Sequence, residues 1–431
     1  MYLYILIDGK FKSMLVLYMI RHDVIIIGSS YTGLCLASIL VNAGIDVALV
    51  TNEKLANKAP SKQQYASRLF AINAHAYRLL TQKALSPGFA DQLGKCSQPI
   101  NQIRVVDNNS TDKIDFWPHD IDLDNFGVMI DEVELKKLLL DKVMELAQLR
   151  LISLYFDNAF ERIIHDDSRK PRQSTAAGRS TISIRLVDGT IMSTMLLVGA
   201  DGRSSKVREN CGISVIREDY GQTAVVCDIH HPTWDHRGIA VEKFRPSGPF
   251  AILPKVGGYN SSLVWTEKTD AALALQVLSM NEVMDILYDI LDGYLGEVKV
   301  TSEICLYPLS LLIVKMIIAN RVALVGDAAH GMHPVAGQGV NLGLRDVSYL
   351  AELIIKQCDI GLDPGSVTML AKYEHERKSD IHLMMGMTNG IVRLFSNDFL
   401  LLKTARRSAM NIVDRLNFCK RLFTSYACGK I

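Results

Sequence analysis

The chain has 431 residues, and its 47 Lys and Arg residues nearly balance its 46 Asp and Glu residues, for a formal net charge of +1. Hydrophobic residues make up 48% and charged residues 22%, a globular composition that excludes an intrinsically disordered protein. The neutral balance argues against a nucleic-acid binder, and no uncharged apolar run reaches the ~18–20 residues of a membrane-spanning helix. An enzyme of two or three domains fits these bounds.

The cysteines are scattered singly, without a C-x-x-C pair, and the histidines have no acidic partners at metal-site spacing. We therefore expect reduced thiols, a cytosol-like compartment and no metal site. The first 18 residues interrupt their apolar stretches with Asp8, Lys10 and Lys12 and lack the features of a signal peptide. We expect them to form an extension outside the fold, with Met14 and Met19 as alternative starts.

The first predicted elements are a strand, a helix and a second strand within residues 23–50. Residues 23–27 are a mostly β-branched run that ends at Gly28, residues 34–43 have helical spacing, and residues 46–50 form another apolar run. This βαβ unit of about 30 residues is the nucleus of a parallel sheet.

Later segments alternate between this sheet and a second, antiparallel one. The elements predicted are a helix at 132–147, a polar loop at 166–179, strands near 149–156, 181–187, 190–197, 223–230, 262–266 and 322–325, and a helix that begins near Gly339. Asp188-Gly189 between two of these strands is typical of a hairpin turn.

The turn after the first strand has the sequence GSSYTG at residues 28–33, where dinucleotide-binding folds carry three glycines. The first glycine allows a tight turn, the middle one lets the backbone approach a pyrophosphate, and the last permits close helix packing. Ser30 replaces the middle glycine, and Thr51 stands where an acidic residue would bind ribose hydroxyls, with Glu53 as a substitute. A purely structural turn is the alternative. The cofactor-binding candidates here are Gly28, Ser30, Gly33 and Glu53.

A second motif, RVALVGDAAHGMHPVAGQGVNLGLRDV, spans residues 321–347. Its strand delivers Gly326 and Asp327 to a sheet edge, where a carboxylate can accept hydrogen bonds from ribityl hydroxyls. Gly337 and Gly339 allow the chain to pass close to a planar ring. The helix that follows directs its free N–H groups at a ligand beyond its N-terminus. Such a helix N-terminus stabilises the negative charge of a reduced flavin.

This combination resembles the flavin-dependent aromatic hydroxylases, the para-hydroxybenzoate hydroxylase-like family. The resemblance implies that Asp327 binds the ribityl chain of FAD. It implies that Pro334 lies beside the isoalloxazine ring, near the carbon that reacts with oxygen, as the residue in catalytic contact. Backbone groups of Gly339, Val340 and Asn341 would then face the pyrimidine edge of the flavin.

A third motif, LLVGADGRSSKVR at residues 196–208, is similar to the Asp-Gly motif of the same family, which contacts both FAD and transiently bound NAD(P)H. The matching residues are Asp201, Gly202, Ser205 and Arg208. Alone, Ala200-Asp201-Gly202 would be an ordinary turn after a strand. Three motifs in the order of the family favour the cofactor-binding interpretation.

Shorter segments resemble the ubiquinone-biosynthesis hydroxylases of this family: SRLFA at 67–71, YGQTA at 220–224, EKF at 242–244, GPFAILP at 248–254, VWT at 264–266 and RLFS at 393–396. The resemblance covers residues 22–428. It implies a monooxygenase that hydroxylates the ring of a polyprenylated phenol with O2 and NADPH or NADH, through a flavin C4a-hydroperoxide. By the same likeness Arg68 lies near the FAD pyrophosphate or the NAD(P)H path, with a surface salt bridge as the alternative.

The implied fold class is α/β, with an interrupted Rossmann-like FAD-binding domain of the GR2 flavoprotein type, an inserted antiparallel-sheet substrate domain and a C-terminal helical segment. The predicted division is an N-terminal extension (1–18), a discontinuous FAD-binding domain (19–90, 126–210 and 306–375), a substrate domain (91–125 and 211–305) and the C-terminal segment (376–431).

Some roles stay open. No general base for the phenol can be named, because His330 and His333 lie in the right loop but such histidines are more often structural. Residues 250–254 with Trp265 are a candidate substrate wall, with ordinary sheet core as the alternative. Two other functions remain: a flavoprotein that oxidises or reduces lipid or isoprenoid substrates without inserting oxygen, and a non-catalytic flavoprotein scaffold in a biosynthetic complex.

The overall charge is near neutral, but the C-terminal segment of the chain is basic. Residues 393–431 carry eight Lys and Arg residues and two acidic ones, with apolar residues at helical spacing. Such a helix can lie on an anionic membrane, where a polyprenyl substrate resides, and packing on the FAD domain is the alternative. We expect a cytoplasmic enzyme peripheral on the inner membrane, or on the matrix side of the mitochondrial inner membrane in a eukaryote, with other ubiquinone-biosynthesis proteins as partners and no nucleic acid.

Overall fold

The computed structural model describes residues 6–7, 10–11, 20–54, 68–83, 87–107, 113–164, 180–332, 337–395 and 417–429. The strands are β1 (Leu6–Ile7), β2 (Lys10–Phe11), β3 (Ile20–Ile27), β4 (Val47–Val50), β5 (Leu69–Asn73), β6 (Ser97–Pro99), β7 (Gln102–Asp107), β8 (Lys113–Phe116), β9 (Gly127–Asp131), β10 (Ile152–Tyr155), β11 (Phe160–Ile164), β12 (Ile182–Leu186), β13 (Ile191–Gly199), β14 (Val215–His230), β15 (Ile239–Arg245), β16 (Gly248–Pro254), β17 (Asn260–Lys268), β18 (Lys299–Val300), β19 (Cys305–Val314), β20 (Ile318–Ala319), β21 (Val322–Leu324) and β22 (His330–Gly331).

The helices are α1 (Tyr31–Asn42), α2 (Ala74–Arg78), α3 (Pro87–Lys95), α4 (Glu132–Gln148), α5 (Lys206–Asn210), α6 (Thr269–Leu275), α7 (Met280–Leu291), α8 (Gln338–Asp359), α9 (Val367–Phe395) and α10 (Asn417–Ala427), with a π-helix at Leu79–Lys83 and 3-10 helices at Pro118–Ile121 and Gly326–Ala328.

A mostly parallel sheet forms the first layer. Its strands follow the order β10-β4-β3-β13-β12-β11, and β21 pairs in parallel with the end of β13, with β20 beyond it. Ile25, Leu49 and Val198 are buried on this sheet, which is why its central strands are nearly continuous apolar runs. The predicted βαβ unit is confirmed, as is the hairpin at Asp188-Gly189.

Helix α1 begins at Tyr31, three residues before the predicted start. The reason is Ser30, whose side chain accepts a hydrogen bond from the Gly33 N–H and so caps the first turn. The helix packs against α4 and α8. Its early start places the whole glycine-rich turn between the end of β3 and the helix N-terminus.

The second sheet has the order β22-β19-β14-β17-β16-β15-β7-β8, with β18 on β14. One face packs on α6 and α7, and the other face packs on the three-stranded sheet β5-β9-β6. Phe250 and Trp265 stack with 6.1 Å between ring centroids, each 1% exposed, on the α6 and α7 side. For Phe250 and Trp265 the alternative of ordinary sheet core is therefore confirmed, because both rings are buried between the sheet and these helices, whereas Leu253 of the same segment lies on the opposite face.

The pairing of β7 with β15 is parallel and joins segments more than 130 residues apart. It places residues 102–116 in the second sheet, while β6 pairs with β9 in the small three-stranded sheet. The predicted domain boundaries remain predictions. The first 18 residues contribute two strands of two residues each, which pair with each other.

The end of the chain docks on the body of the protein through α10. Asn73 Nδ2 donates to the Ala427 carbonyl at 3.0 Å, and Tyr426 Oη donates to Asp380 Oδ1 at 2.8 Å. Among the basic residues of the tail, Lys420 lies 5.3 Å from the ring of Phe116. The segment 396–416, which carries much of the predicted amphipathic pattern, lies outside the described residues. In the part of the chain that the structure describes, no helix combines the length and apolar character needed to cross a bilayer.

Candidate functional site

Three motifs that are distant in sequence meet at one edge of the first sheet. Gly199 at the end of β13 pairs with Ile27 on one side and with Leu324 on the other. Because these strands are parallel, their carboxyl ends lie side by side, and so do the turns that follow at Gly28, Asp201 and Asp327. The carboxyl edge of a parallel sheet is where open α/β folds bind their ligands.

The glycines of the first turn are required by its geometry. Gly28 has φ +109°, and a Cβ there would lie 2.4 Å from the Ala200 carbonyl oxygen. A Cβ on Gly33 would lie 2.1 Å from the Gly28 carbonyl oxygen, so α1 packs directly on the turn. Ser30 Oγ donates to the Ala200 carbonyl at 3.1 Å. The side chain that replaces the middle glycine thus bonds to the protein backbone.

The strand next to this turn ends near the two residues considered for ribose binding. Thr51 is buried, and its Oγ1 lies 2.7 Å from Ser29 Oγ. Glu53 donates its N–H to Thr51 Oγ1 at 3.2 Å, and its carboxylate forms an ion pair with Lys136 of α4. The structure brings Glu53 to the same sheet edge as Gly28, and its ribose-binding role stays a prediction.

The second turn carries a carboxylate with spare hydrogen-bonding capacity. Asp201 Oδ2 accepts from the Val207 N–H at 3.1 Å, whereas Oδ1 is buried without a hydrogen-bond partner among the described residues. Burial raises the pKa of this carboxyl above its ordinary value. Gly202 has φ +78° and no protein atom within 4 Å of an added Cβ, so the turn is open on that side.

Arg208 connects the second turn to the third. Its guanidinium is 1% exposed and donates to the Ala328 carbonyl at 2.9 Å and to the Arg203 carbonyl at 2.7 Å. Burial lowers its pKa, and Arg217 adds to that effect. Its predicted cofactor contact remains a prediction, while its contacts in the structure hold the two turns together.

The third turn is the 3-10 helix at Gly326–Ala328. Gly326 has φ +59°, and an added Cβ would lie 3.0 Å from Thr32 Cγ2 of α1, so this turn packs against the first one. The carboxylate of Asp327 is half-buried and forms no hydrogen bond with the described residues. It is therefore available to a ligand at the sheet edge.

Helix α8 begins just beyond this turn without a side-chain cap. Gly337 precedes it with φ +61°, and no atom of the described residues lies within 4 Å of a Cβ added to Gly339, so the described part of the protein leaves the first turn of the helix uncovered there. Val340 is buried, and Asn341 donates through Nδ2 to the Ala71 carbonyl at 2.8 Å. These contacts fix α8 on β5. Pro334, the predicted catalytic contact, and His333 lie outside the described residues.

Sequence reasoning missed the buried carboxylate that supports this loop. Asp346 on α8 is 0% exposed and accepts hydrogen bonds from the Gly326 N–H at 2.9 Å, His330 Nε2 at 2.6 Å and Arg377 Nε at 2.7 Å. Burial opposes its ionisation, yet His330 and Arg377 together lower its pKa below the ordinary value. His330 is thus a structural residue, which was the alternative to a role as general base. An acidic residue on the apolar face of α8 was the available signal.

Arg68 lies at the entrance to this region. It forms a two-pronged ion pair with Glu132, and its guanidinium carbon is 5.9 Å from the ring centroid of Tyr307. Burial opposes its charge, but Glu132 and Asp327 raise its pKa. Arg68 therefore links α4 to the second sheet, and the surface salt bridge given as the alternative is present. Its role near the pyrophosphate or NAD(P)H remains a prediction.

The residues at this edge fit FAD. An uncapped helix N-terminus suits the pyrimidine edge of a flavin, and the carboxylates of Asp201 and Asp327 are free to accept hydrogen bonds from hydroxyl groups. The space beside Gly202 and Gly339 is open to a ligand. Among the residues that the structure describes, no group of three His, Cys, Asp or Glu side chains could hold a metal ion.

Comparison with known proteins agrees with this geometry. Residues 21–386 match the model of a family described as FAD binding domain. Ubiquinone hydroxylase UbiL of Rhodospirillum rubrum is 39% identical over 411 residues, which are 95% of this chain and 90% of that protein. The human mitochondrial ubiquinone biosynthesis monooxygenase COQ6 is 34% identical over 271 residues, covering 54% of this chain and 58% of that protein.

Solved structures share the fold. p-Nitrophenol 4-monooxygenase PnpA of Pseudomonas putida superposes with a TM-score of 0.71 at 16% identity, over 94% of this chain and 97% of that one. Anhydrotetracycline hydroxylase OxyS of Streptomyces rimosus has a TM-score of 0.67 at 21% identity, over 95% of this chain and 76% of that one. At this level of identity the likeness concerns the fold alone.

Proposed function

This chain belongs to the FAD binding domain family, and we propose that it is a FAD-dependent monooxygenase that hydroxylates the aromatic ring of a polyprenylated phenol in ubiquinone biosynthesis. The observation that carries the proposal is the meeting of Gly28, Asp201 and Asp327 at one sheet edge, in a chain related over most of its length to a ubiquinone hydroxylase.

Bound FAD supplies the hydride acceptor for NADPH or NADH and the reactive centre for O2. The chain holds it through the turn at Gly28 and Gly33, the carboxylates of Asp201 and Asp327, and the N–H groups at the start of α8. Hydrogen bonds that these turns form with Asp346 and Arg208 hold the turns in place. The protein's own contribution is to bind, orient and exclude water.

In this proposal the phenol ring binds against the face of the second sheet that is turned toward the small three-stranded sheet. The face of the second sheet on that side carries Val226, Ala251 and Val264, which are small or apolar, and Tyr307 below Arg68. Apolar walls exclude water, which protects the activated oxygen from loss as hydrogen peroxide. They also suit a substrate with a long isoprenoid chain.

The test is a reaction with purified protein. We expect a yellow protein with flavin absorbance, and oxygen uptake that requires NADPH or NADH and increases with a prenylated phenol. The product should be heavier than the substrate by one oxygen atom. A flavoprotein that consumes the phenol without gaining oxygen would indicate the lipid oxidoreductase alternative. A protein that holds flavin but reacts with neither substrate would indicate the scaffold alternative.

We further propose that the enzyme works at the inner membrane, on its cytoplasmic or matrix side, and contacts other ubiquinone-biosynthesis proteins there. The support is the basic composition of residues 393–431 and the insolubility of a polyprenylated substrate in water. Because α10 is docked on the body of the protein, substitution is a cleaner test than truncation.

In that test, Lys403, Arg406, Arg407 and Arg415 are changed together to Gln, and binding to vesicles is measured by co-sedimentation. The wild type should sediment with vesicles that contain anionic lipid and less with neutral ones, and the variant should remain in solution. Equal sedimentation of both proteins would contradict the membrane proposal and leave the hydroxylase proposal untouched.

A further inference from the structure

One face of the second sheet holds a carboxyl group that the cofactor site does not use. Glu242 lies on β15, with Val105 of β7 and Ala251 of β16 as its cross-strand neighbours. Since side chains alternate along a strand, Glu242 shares its face with Ala240 and Phe244. The EKF segment therefore places a charge where the alternation would have an apolar residue.

This face is turned toward the flavin-binding edge. Ala240 and Leu253 pack in the same cluster as Ala71 of β5. Ala71 also meets the start of α8, because a Cβ on Gly337 would lie 2.9 Å from the Ala71 Cβ. Glu242 thus lies on the face of the second sheet that is turned toward β5 and, through Ala71, toward the start of α8.

The carboxyl group of Glu242 has no protein partner among the described residues. The side chain is half-buried, and its carboxylate oxygens keep accessible surface. A carboxyl group that faces apolar walls without a hydrogen-bond donor costs free energy, and such groups are typical of sites that a ligand completes.

The described cations around it are paired or turned away. Arg68, just before β5, pairs with Glu132, and Lys255, just after β16 of the same sheet, pairs with Asp131 and Asp228. Asp107 of β7 is buried on the same face of the sheet as Glu242. Lys243 and Arg245 are on the same strand as Glu242 but point to the opposite face.

Helix α9, which packs on β16, carries no titratable group among its described side chains after His382. Burial raises the pKa of Glu242 to about 7, and none of the charged groups among the described residues offsets that effect. The group can therefore gain and lose a proton near neutral pH.

We propose that Glu242 is the catalytic base that removes the proton from the phenol hydroxyl of the substrate. The phenol O–H bond breaks, the proton bonds to a carboxylate oxygen of Glu242, and the negative charge moves to the phenol oxygen and into the ring. The ring carbon that takes up oxygen becomes more nucleophilic. The proton on Glu242 leaves with the second oxygen atom of O2, which the overall reaction converts to water.

This inference rests on the hydroxylase function proposed above, and its test separates the two. The full-length holoenzyme and its Glu242→Gln variant are assayed with a phenol that carries a short prenyl chain, across a pH range around 7. Glu267→Gln is the matched control, because Glu267 is a half-buried carboxylate on β17 that bonds to Arg245 and Ser247 away from this face of the sheet.

Wild-type product formation should fall as the pH drops through about 7. The Glu242→Gln variant should lose about 10²–10⁴-fold in rate and lose this acidic limb, while it keeps its FAD and its reduction by NADPH. Glu267→Gln should keep the wild-type profile. A Glu242→Gln variant with the wild-type rate and pH profile would overturn the inference.

A second measurement does not depend on turnover. The absorbance difference spectrum of the bound phenol should show the phenolate in the wild type above pH 7 and the neutral phenol in Glu242→Gln. A ring-fluorinated phenol that is already ionised should restore the rate of the variant. Equal loss with that phenol would show a structural role for Glu242 and overturn the inference. A wild type that forms no hydroxylated product would instead refute the hydroxylase function.

Discussion

The backbone N–H of Gly326 donates a hydrogen bond to Asp346 Oδ2 at 2.9 Å, so helix α8 holds the turn that presents Asp327. The same carboxylate accepts from His330 and Arg377. Arg377 in turn pairs with Asp380, which also accepts from Tyr426 of α10. A continuous buried network therefore joins the flavin-binding turn to the docked end of the chain.

Changing Asp346 to Asn should destabilise the protein and weaken FAD retention. The variant leaves Arg377 and His330 without their anionic acceptor, and breaking a buried ion pair in this way costs about 3–5 kcal/mol. Thermal unfolding and the ratio of flavin to protein after purification measure the two effects. Glu352→Gln, at the exposed surface of the same helix, is the control and should behave as the wild type. An Asp346→Asn variant with wild-type flavin content would contradict the role given to the network.

The same carboxylate predicts a direction for acid unfolding. Burial opposes its ionisation, but His330 and Arg377 hold the pKa of Asp346 below its unfolded value. A group whose pKa is depressed by folding stabilises the native state above its unfolded pKa, and that contribution is lost as the pH falls through the folded pKa. Wild-type stability should therefore decrease below about pH 4, and Asp346→Asn should show a shallower decrease. Denaturant unfolding at a series of pH values gives this comparison.

Two glycines should respond differently to alanine. Gly33→Ala places a Cβ 2.1 Å from the Gly28 carbonyl oxygen, so the FAD-free protein itself should lose about 1–3 kcal/mol of stability. Gly339→Ala meets no protein atom within 4 Å and lies within α8, where Ala is the better helix former by about 0.5–1 kcal/mol.

Gly339→Ala should therefore unfold no more easily than the wild type in the FAD-free form, yet bind FAD about tenfold or more weakly if the flavin fills that space. Flavin fluorescence titration of the two FAD-free proteins measures this. Unchanged affinity in Gly339→Ala would show that the flavin lies elsewhere.

Removing one hydroxyl should loosen the end of the chain. Tyr426 Oη donates to Asp380, and burial together with that carboxylate raises the pKa of Tyr426 to about 12. Tyr426→Phe should cost about 1.5–3 kcal/mol, the range for a hydrogen bond to a charged group. Limited proteolysis should cut the variant near its C-terminus faster than the wild type. Tyr259→Phe, at an exposed loop, is the control. Equal proteolysis of the two variants would show that this bond does not hold α10.

Local patterns in the sequence predicted the elements that depend on local interactions. The β-branched run before Gly28, the helical spacing of residues 34–43 and the turn at Asp188-Gly189 each depend on a few neighbouring residues, and the structure contains the corresponding strand, helix and hairpin. The cap at Ser30, which starts the helix at Tyr31, was not predicted. The three glycine motifs could be assigned to one site only through the family resemblance. Their meeting at one edge depends on the parallel pairing of β3, β13 and β21.

What the sequence could not predict depends on three-dimensional neighbours. Alternation places Phe250 and Ala251 on opposite faces of β16 but does not say which face packs on α6 and α7. The three partners of Asp346 come from separate segments, so no spacing rule gathers them. Glu242 is recognisable in the sequence as a charged residue among alternating apolar ones. Its role could not be predicted, because it depends on which face of the sheet is turned toward the flavin.

As a monooxygenase, this chain should insert one atom of O2 into the ring of a prenylated phenol. The most direct measurement supplies the FAD-loaded protein, NADPH and the phenol with ¹⁸O2 and determines the mass of the product. The product should carry one ¹⁸O atom in a new ring hydroxyl. A product without the label, or NADPH consumption that yields hydrogen peroxide alone, would contradict the monooxygenase function.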